Sequence, residues 1–241
     1  MMRRILFLTL LALLAAPSAW ADAIQDFNAG VSEAYGGYRA GTSYLRTGNP
    51  GLASLEIATA LEAWRGILAT FADTPPAPYA NDQDFAATLS GIEAKLSKAL
   101  TQAENGDSKA AAETLLPVRD MIYSLRSRNG VRLYADCITE LNRAVEPLFK
   151  HRHDTPDLDN EQVRAQITRE SKTYENLLID CRKMAPETYT GDQEFVRLFD
   201  GTLESIQSMY PAIDSKDPGR VINVLRELRS FDRIIYFRFG G

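Results

Sequence analysis

The two histidines of the chain lie in one short segment, KHRHDTPDLDN, at residues 150–160. His151 and His153 are followed by Asp154, and imidazole and carboxylate groups are ligands of zinc, copper and nickel. On a loop, side chains two positions apart can converge, so these three residues are candidate metal ligands. The alternative is a polar loop between helices, in which a histidine stabilises the C-terminal end of a helix.

Two pairs of arginines recur at one constant interval in the sequence, Arg119 with Arg229 and Arg128 with Arg238. Guanidinium groups bind carboxylate and phosphate anions, so these four residues are candidates for an anion site. They are equally suited to stabilising the last carbonyls of a helix or to pairing with acidic neighbours.

Motifs of nucleophilic, metal and phosphate catalysis are absent from the sequence, which contains no GxSxG, HExxH, glycine-rich phosphate loop or CxxC. A Cys–His pair would need Cys137 or Cys181, and both fall on apolar helix faces. We therefore expect no enzymatic activity and assign no catalytic residue.

Two similar heptapeptides, YANDQDF at residues 79–85 and YTGDQEF at residues 189–195, raise the alternatives of a carboxylate metal cluster and a structural repeat. No histidine accompanies either copy, which disfavours a metal cluster. Asp82 and Asp192 precede apolar helical patterns, where an aspartate caps the first N–H groups of a helix. Phe85 and Phe195 fall on the core face, so the repeat predicts architecture.

The whole chain repeats at the interval that separates the heptapeptides and the arginine pairs, which we call the repeat interval. Aligned on itself at this interval without gaps, the chain has 14 identical pairs over about 98 positions, where composition alone gives roughly six. Substitutions also agree in type, as where Trp64 faces Tyr174. The repeat predicts two copies of one structural unit.

Each copy has four segments with apolar residues at helical spacing. In the first copy they run from about Ala23 to Leu45, from Leu55 to Phe71, from Asp82, and from Asp107 to Gly130, with a kink predicted at Pro117. The second copy repeats this plan, with its third helix starting at Asp192 and its fourth at Asp217. We therefore predict an all-α protein of two tandem antiparallel four-helix bundles, residues 22–130 and 131–241.

The cysteines replace Phe27 and Phe71 at the repeat interval, which pairs Cys137 with Cys181. Cys137 lies near the start of the first helix of its copy and Cys181 near the end of the second. These ends are adjacent in an antiparallel hairpin, so we predict a disulfide. Two separate buried thiols are the alternative.

The stretch ALTQAENGDSKAAAETLLPVRDM, residues 99–121, resembles the last helix of the cytochrome c′ family of four-helix bundles. That family attaches haem through CxxCH near the end of this helix. The matching stretches here, MIYSLRSRNG and FDRIIYFRFG, contain neither Cys nor His, which excludes haem c. The similar cytochrome b562 bundle uses a Met and a His from its first and last helices, and that pair is missing too. The resemblance thus implies a haem-free relative with no cofactor.

The N-terminus has the three parts of a secretory signal peptide. Arg3 and Arg4 precede an apolar run from Ile5 to Ala16, and Ala19-Trp20-Ala21 is a cleavage sequence. We expect cleavage between Ala21 and Asp22, export to the periplasm or outside the cell, and no membrane span in the mature protein. The alternative, an N-terminal anchor, needs a longer apolar run.

Loss of two arginines with the signal peptide changes the formal charge from −5 to −7. An acidic chain lacks the basic footprint that nucleic-acid binding needs. The sequence therefore predicts an exported, non-enzymatic helical binding protein that recognises an envelope protein or a small ligand. The alternative is a periplasmic redox or metal-handling protein with a non-covalently bound cofactor or metal.

Overall fold

The computed structural model describes the backbone of residues 16–241 and the side chains of residues 23–241. Helices connected by short turns make up this described backbone, and it contains no β-strand. The predicted all-α class is confirmed. The predicted signal peptide, residues 1–21, lies outside the residues whose side chains are described.

The chain divides into two compact units, the first ending at Val131 and the second spanning Arg132–Gly241. Helices of the first unit pack in a closed order, α1 on α2, α2 on α3, α3 on α4 and α5, and α4 back on α1. A 3₁₀ turn, Tyr79–Asn81, precedes α3. The helices are α1 Ala16–Arg46, α2 Pro50–Phe71, α3 Phe85–Glu104, α4 Ser108–Leu115 and α5 Val118–Arg128.

The second unit has a closed order of its own, with α6 on α7, α7 on α9, α9 on α11 and α11 back on α6. Its hydrophobic core is drawn from residues between Tyr134 and Phe239. The helices are α6 Tyr134–Lys150, α7 Glu161–Met184, α8 Glu187–Thr190, α9 Gln193–Gln207, α10 Met209–Asp214 and α11 Pro218–Phe239.

Aspartate caps begin several of these helices, as the sequence predicted. Asp107 accepts a hydrogen bond from the Ala110 N–H at the start of α4 (2.9 Å), and Asp217 accepts one from the Arg220 N–H at the start of α11 (3.0 Å). Asp192 accepts from the N–H groups of Glu194 and Phe195. Each satisfies backbone donors that have no partner inside the helix.

The first copy of the heptapeptide differs from this pattern, and the predicted start of its helix at Asp82 is wrong. The helix α3 begins at Phe85, and its N-cap residue is Asp84. The Asp82 carboxylate accepts one hydrogen bond from a backbone group, the Asp84 N–H (3.0 Å), and two from the side chains of Arg128 and Asn129, at 2.8 and 2.7 Å. A charge-assisted bond from the last helix of the unit is thus added to a single backbone bond.

Prolines interrupt one long helix in each unit. Pro117 lacks an N–H and separates α4 from α5, so the predicted kink is a full break. In the second unit the last helix, α11, is continuous, and the break lies between α9 and α10 at Ser208. Pro211 follows there, and its missing N–H cannot bond the carbonyl of Gln207 four residues earlier.

Glycines allow α1 and α2 to pack closely. A Cβ atom added at Gly37 would lie 2.7 Å from the Glu56 carbonyl oxygen, and one at Gly41 would lie 2.8 Å from the Ile57 side chain. Ala53 and Ala60 of α2 are fully buried. Small residues on both helices thus bring the two backbones together.

Candidate functional site

A cleft of about 380 Å³ opens in the first unit where α2 ends. Three parts of the chain form it: the end of α2, the proline-rich segment that follows, and α1 at Ala23. The lining residues are mostly apolar and none is charged: Ala23, Thr70, Phe71, Thr74, Pro75, Pro76, Ala77 and Ala80.

The proline-rich segment, Asp73–Pro78, forms one wall of this cleft. Its prolines cannot continue α2, so the chain leaves the helix and crosses the end of the unit. The backbone then turns at Tyr79, whose N–H donates to the Pro76 carbonyl oxygen (2.7 Å). This turn places Ala77 and Ala80 at the cleft.

An aromatic cluster lies behind the cleft and holds its apolar surface in place. The Phe71 ring meets the Phe27 ring edge to face, with centroids 5.4 Å apart. Phe27 also contacts Tyr79 at 5.1 Å and Phe85 at 5.6 Å. Rings in such arrangements stabilise one another beyond their buried area. The apolar wall of the cleft is therefore supported by packed aromatic rings.

Two hydroxyl groups are the polar side-chain groups of the lining. Thr70 Oγ1 donates to the Gly66 carbonyl oxygen (2.9 Å), and Thr74 Oγ1 donates to the Thr70 carbonyl oxygen (3.2 Å). With their protons directed at the backbone, both oxygens retain lone pairs that accept hydrogen bonds. An apolar cleft of this size with a few polar groups is typical of small-molecule sites.

The predicted disulfide is confirmed in the second unit. Cys137 of α6 and Cys181 of α7 are bonded, with Cα atoms 5.5 Å apart. Both residues are fully buried. They occupy the positions that Phe27 and Phe71 hold one repeat interval earlier, so a covalent bond stands where the first unit has a ring contact.

The candidate anion-binding arginines face carboxylates or a buried ring. Arg128 pairs with Asp82 at 2.8 Å, and Arg238 lies 3.9 Å from Glu194. Arg229 binds Glu146 at 2.7 Å and stacks over the Phe149 ring.

The fourth candidate, Arg119, lies beside Tyr38. Burial and the neighbouring Tyr35 raise the pKa of Tyr38, and the Arg119 charge opposes that shift. The contacts of Arg128, Arg229 and Arg238 therefore favour structural pairing, which was the alternative to an anion site.

The candidate metal ligands are not gathered into one group. His151 Nε2 lies 2.9 Å from Glu170 Oε2, while His153 and Asp154 are exposed. Within residues 23–241, no group of three or more His, Cys, Asp and Glu side chains is placed to hold a metal ion. The pairing of His151 with Glu170 favours the polar-loop alternative.

A carboxylate network in the second unit was not predicted from the sequence. Glu175 of α7 is 5% exposed. Its carboxylate accepts hydrogen bonds from Lys172 (2.9 Å), Gln207 (3.1 Å) and Tyr210 (2.7 Å). Burial raises the pKa of Glu175, but these hydrogen bonds outweigh burial and bring the pKa below its ordinary value. The break between α9 and α10 brings Gln207 and Tyr210 to this carboxylate, and Pro211 is the sequence signal for that break.

Comparisons with known proteins identify no relative. No protein-family model, no curated protein and no solved structure matches the chain. The resemblance to the cytochrome c′ family therefore stays a prediction. Within the residues that the structure describes, no helix has both the length and the apolar character needed to cross a membrane.

Proposed function

We propose that the chain is an exported, non-enzymatic binding protein made of two tandem four-helix bundles, and that its first unit binds a small apolar ligand. The observation that carries the proposal is the cleft of about 380 Å³ with an uncharged lining. Burial of apolar ligand surface there contributes roughly 25 cal/mol per Å² before the costs of association.

Three further observations support the duplicated architecture. Each unit has its own closed order of helix contacts. Asp107 and Asp217, which are one repeat interval apart, both cap the last long helical segment of their units. The buried pairs Phe27–Phe71 and Cys137–Cys181 link the first two long helices at equivalent positions.

The test uses a fluorescent apolar probe, 1-anilinonaphthalene-8-sulfonate, with the chain from Asp22 onward. Ala80→Trp places a large side chain in the cleft and is expected to weaken probe binding at least tenfold. Ala58→Trp adds the same side chain at an exposed position of α2 and is the matched control. Equal binding by both variants, or no saturable binding by the unmodified protein, would contradict the proposal.

A second candidate function is recognition of an envelope protein. Leu52 and Leu55, near the start of α2, are 42% and 65% exposed, and Leu116 in the break before α5 is 75% exposed. Large exposed apolar side chains mark many protein interaction sites. Crosslinking in the envelope tests this function: a specific partner lost in Leu52→Ser/Leu55→Ser, but retained in Ala80→Trp, would support it over the small ligand.

The alternative of a redox or metal-handling protein stays an untested prediction. In the described part of the chain, His151 pairs with Glu170, and no third potential ligand joins them. An absorbance spectrum and a metal analysis of native protein would test this alternative directly.

A further inference from the structure

Polar side chains lie inside the second unit where the first unit has apolar ones. Ser171 and Tyr174 of α7 and Thr202 of α9 are all 0% exposed. The residues one repeat interval earlier are Leu61, Trp64 and Ile92, which are buried too. At these three positions the second unit therefore has smaller and more polar side chains than the first.

The hydrogen bonds of these equivalent residues differ between the two units. In the first unit the Trp64 indole N–H donates to the Leu89 carbonyl oxygen (2.8 Å). In the second unit Thr202 Oγ1 donates to the Leu198 carbonyl oxygen (2.6 Å). Ser171 Oγ and Tyr174 OH, in contrast, have no hydrogen-bond partner among residues 23–241. A buried hydroxyl without a partner lowers the stability of the folded state.

Ser171 and Tyr174 lie three positions apart on α7, so they share one helix face. The pKa of Tyr174 also depends on a charged residue of another helix. Burial raises the pKa of Tyr174 well above its ordinary value, and the negative charge of Asp232 on α11 adds to the shift. Asp232 itself accepts a hydrogen bond from Asn142 of α6. Four long helices of the unit thus contribute polar groups to its interior.

We propose that the interior of the second unit binds water at Ser171 Oγ and Tyr174 OH. Each hydroxyl both donates and accepts a hydrogen bond, which matches a ligand that does the same. A neutral ligand needs no buried counter-charge, the negative charge of Asp232 disfavours an anion, and no group of three potential metal ligands is present among residues 23–241. Buried water typically satisfies polar groups that lack a partner in the protein.

A high-resolution crystal structure of the mature chain tests this site directly. We expect electron density for a water within about 2.5–3.2 Å of Tyr174 OH or Ser171 Oγ. Absence of density beside both hydroxyls would overturn the proposal.

Thermal unfolding of Tyr174→Phe is the second measurement. If water forms a hydrogen bond with the Tyr174 hydroxyl, removing this hydroxyl lowers Tm by about 4–8 °C. The matched control is Tyr210→Phe, because the Tyr210 hydroxyl has a defined partner in Glu175 and its loss should also lower Tm. A Tm that rises in Tyr174→Phe while it falls in Tyr210→Phe would overturn the proposal.

Discussion

At the residue scale, Asp82 and Asp192 each accept a hydrogen bond from the backbone N–H two residues later, but their other partners differ. Asp192 caps α9 through two backbone N–H groups. Asp82 joins the start of α3 to the end of α5, since its carboxylate binds Arg128 and Asn129. Burial raises the pKa of Asp82, and the bonds from Asn129 and Arg128 bring it below its ordinary value. The sequence predicted a structural role for both, but the side-chain partners of Asp82 lie at the end of a distant helix, which local patterns do not relate to it.

This difference predicts unequal costs for the same substitution. Asp82→Ala leaves Arg128 and Asn129 without their carboxylate and should lower the free energy of unfolding by about 2 kcal/mol. Asp192→Ala removes a helix cap and should cost about 1 kcal/mol. Urea unfolding of the two variants measures both costs, and a larger loss for Asp192→Ala would contradict the assignment.

The carboxylate of Glu175 predicts a dependence of stability on pH. Because its folded pKa lies below its ordinary value, its contribution is fully present above the unfolded pKa, about 4.5. The contribution is lost as the pH falls through the lower folded pKa. Glu175→Gln should therefore be less stable than the unmodified protein at pH 7, and the gap should narrow between pH 5 and pH 3. A gap that is constant over this range would contradict the prediction.

At the scale of elements, the sequence predicted the start of a helix where a capping aspartate directly precedes it. Asp107, Asp192 and Asp217 were placed correctly because a cap and its helix are adjacent in sequence. The extent of the break at Pro117, and the break at Ser208, depend on packing around each proline. The cleft was missed because its walls come from separate stretches, Ala23 and residues 70–80, which local patterns do not relate.

One turn is repeated with a different residue at its strained position. Gly106 and Lys216, which are one repeat interval apart, both have positive φ, 82° and 53°. In each turn the following aspartate N–H bonds a carbonyl five residues earlier, Asp107 to Gln102 and Asp217 to Ala212. The first turn connects α3 to α4, and the second connects α10 to α11.

We predict that Lys216→Gly stabilises the second unit by about 1 kcal/mol, since glycine adopts this conformation without a Cβ penalty. The substitution also removes the ion pair with Asp159, whose side chain is 85% exposed, so little is lost. Gly106→Ala is the reciprocal control and should destabilise by a similar amount, because its Cβ meets no atom within 4 Å and only φ matters. Chemical denaturation would contradict the account if Lys216→Gly were the less stable protein.

At the scale of the whole molecule, the two compact units are both built of helices and differ inside. The first unit has an aromatic cluster behind an apolar cleft, with the Phe27–Phe71 contact at its centre. The second has a disulfide at the equivalent positions and polar side chains within its core. The sequence predicted the helical class and the disulfide, whereas the cleft and the polar interior were found only from the packing.

Reduction should therefore weaken the second unit selectively. The disulfide joins residues 44 positions apart, and closing such a loop is worth about 3–4 kcal/mol in the chain-entropy model. Unfolding followed with and without reductant should show this loss, and a Cys137→Ala/Cys181→Ala control should not respond to reductant. Two reactive thiols in the denatured, non-reduced protein would contradict the pairing.

Mapping the bound probe on the chain shows whether the first unit binds a small apolar ligand in its cleft. The measurement is a titration of the isotopically labelled mature chain with 1-anilinonaphthalene-8-sulfonate, followed by the amide chemical shifts in NMR spectra. We expect saturable shifts confined to Ala23 and residues 70–80, and their loss in Ala80→Trp. Shifts centred on Leu52 and Leu55 instead, or no saturable shift in the first unit, would contradict binding in the cleft.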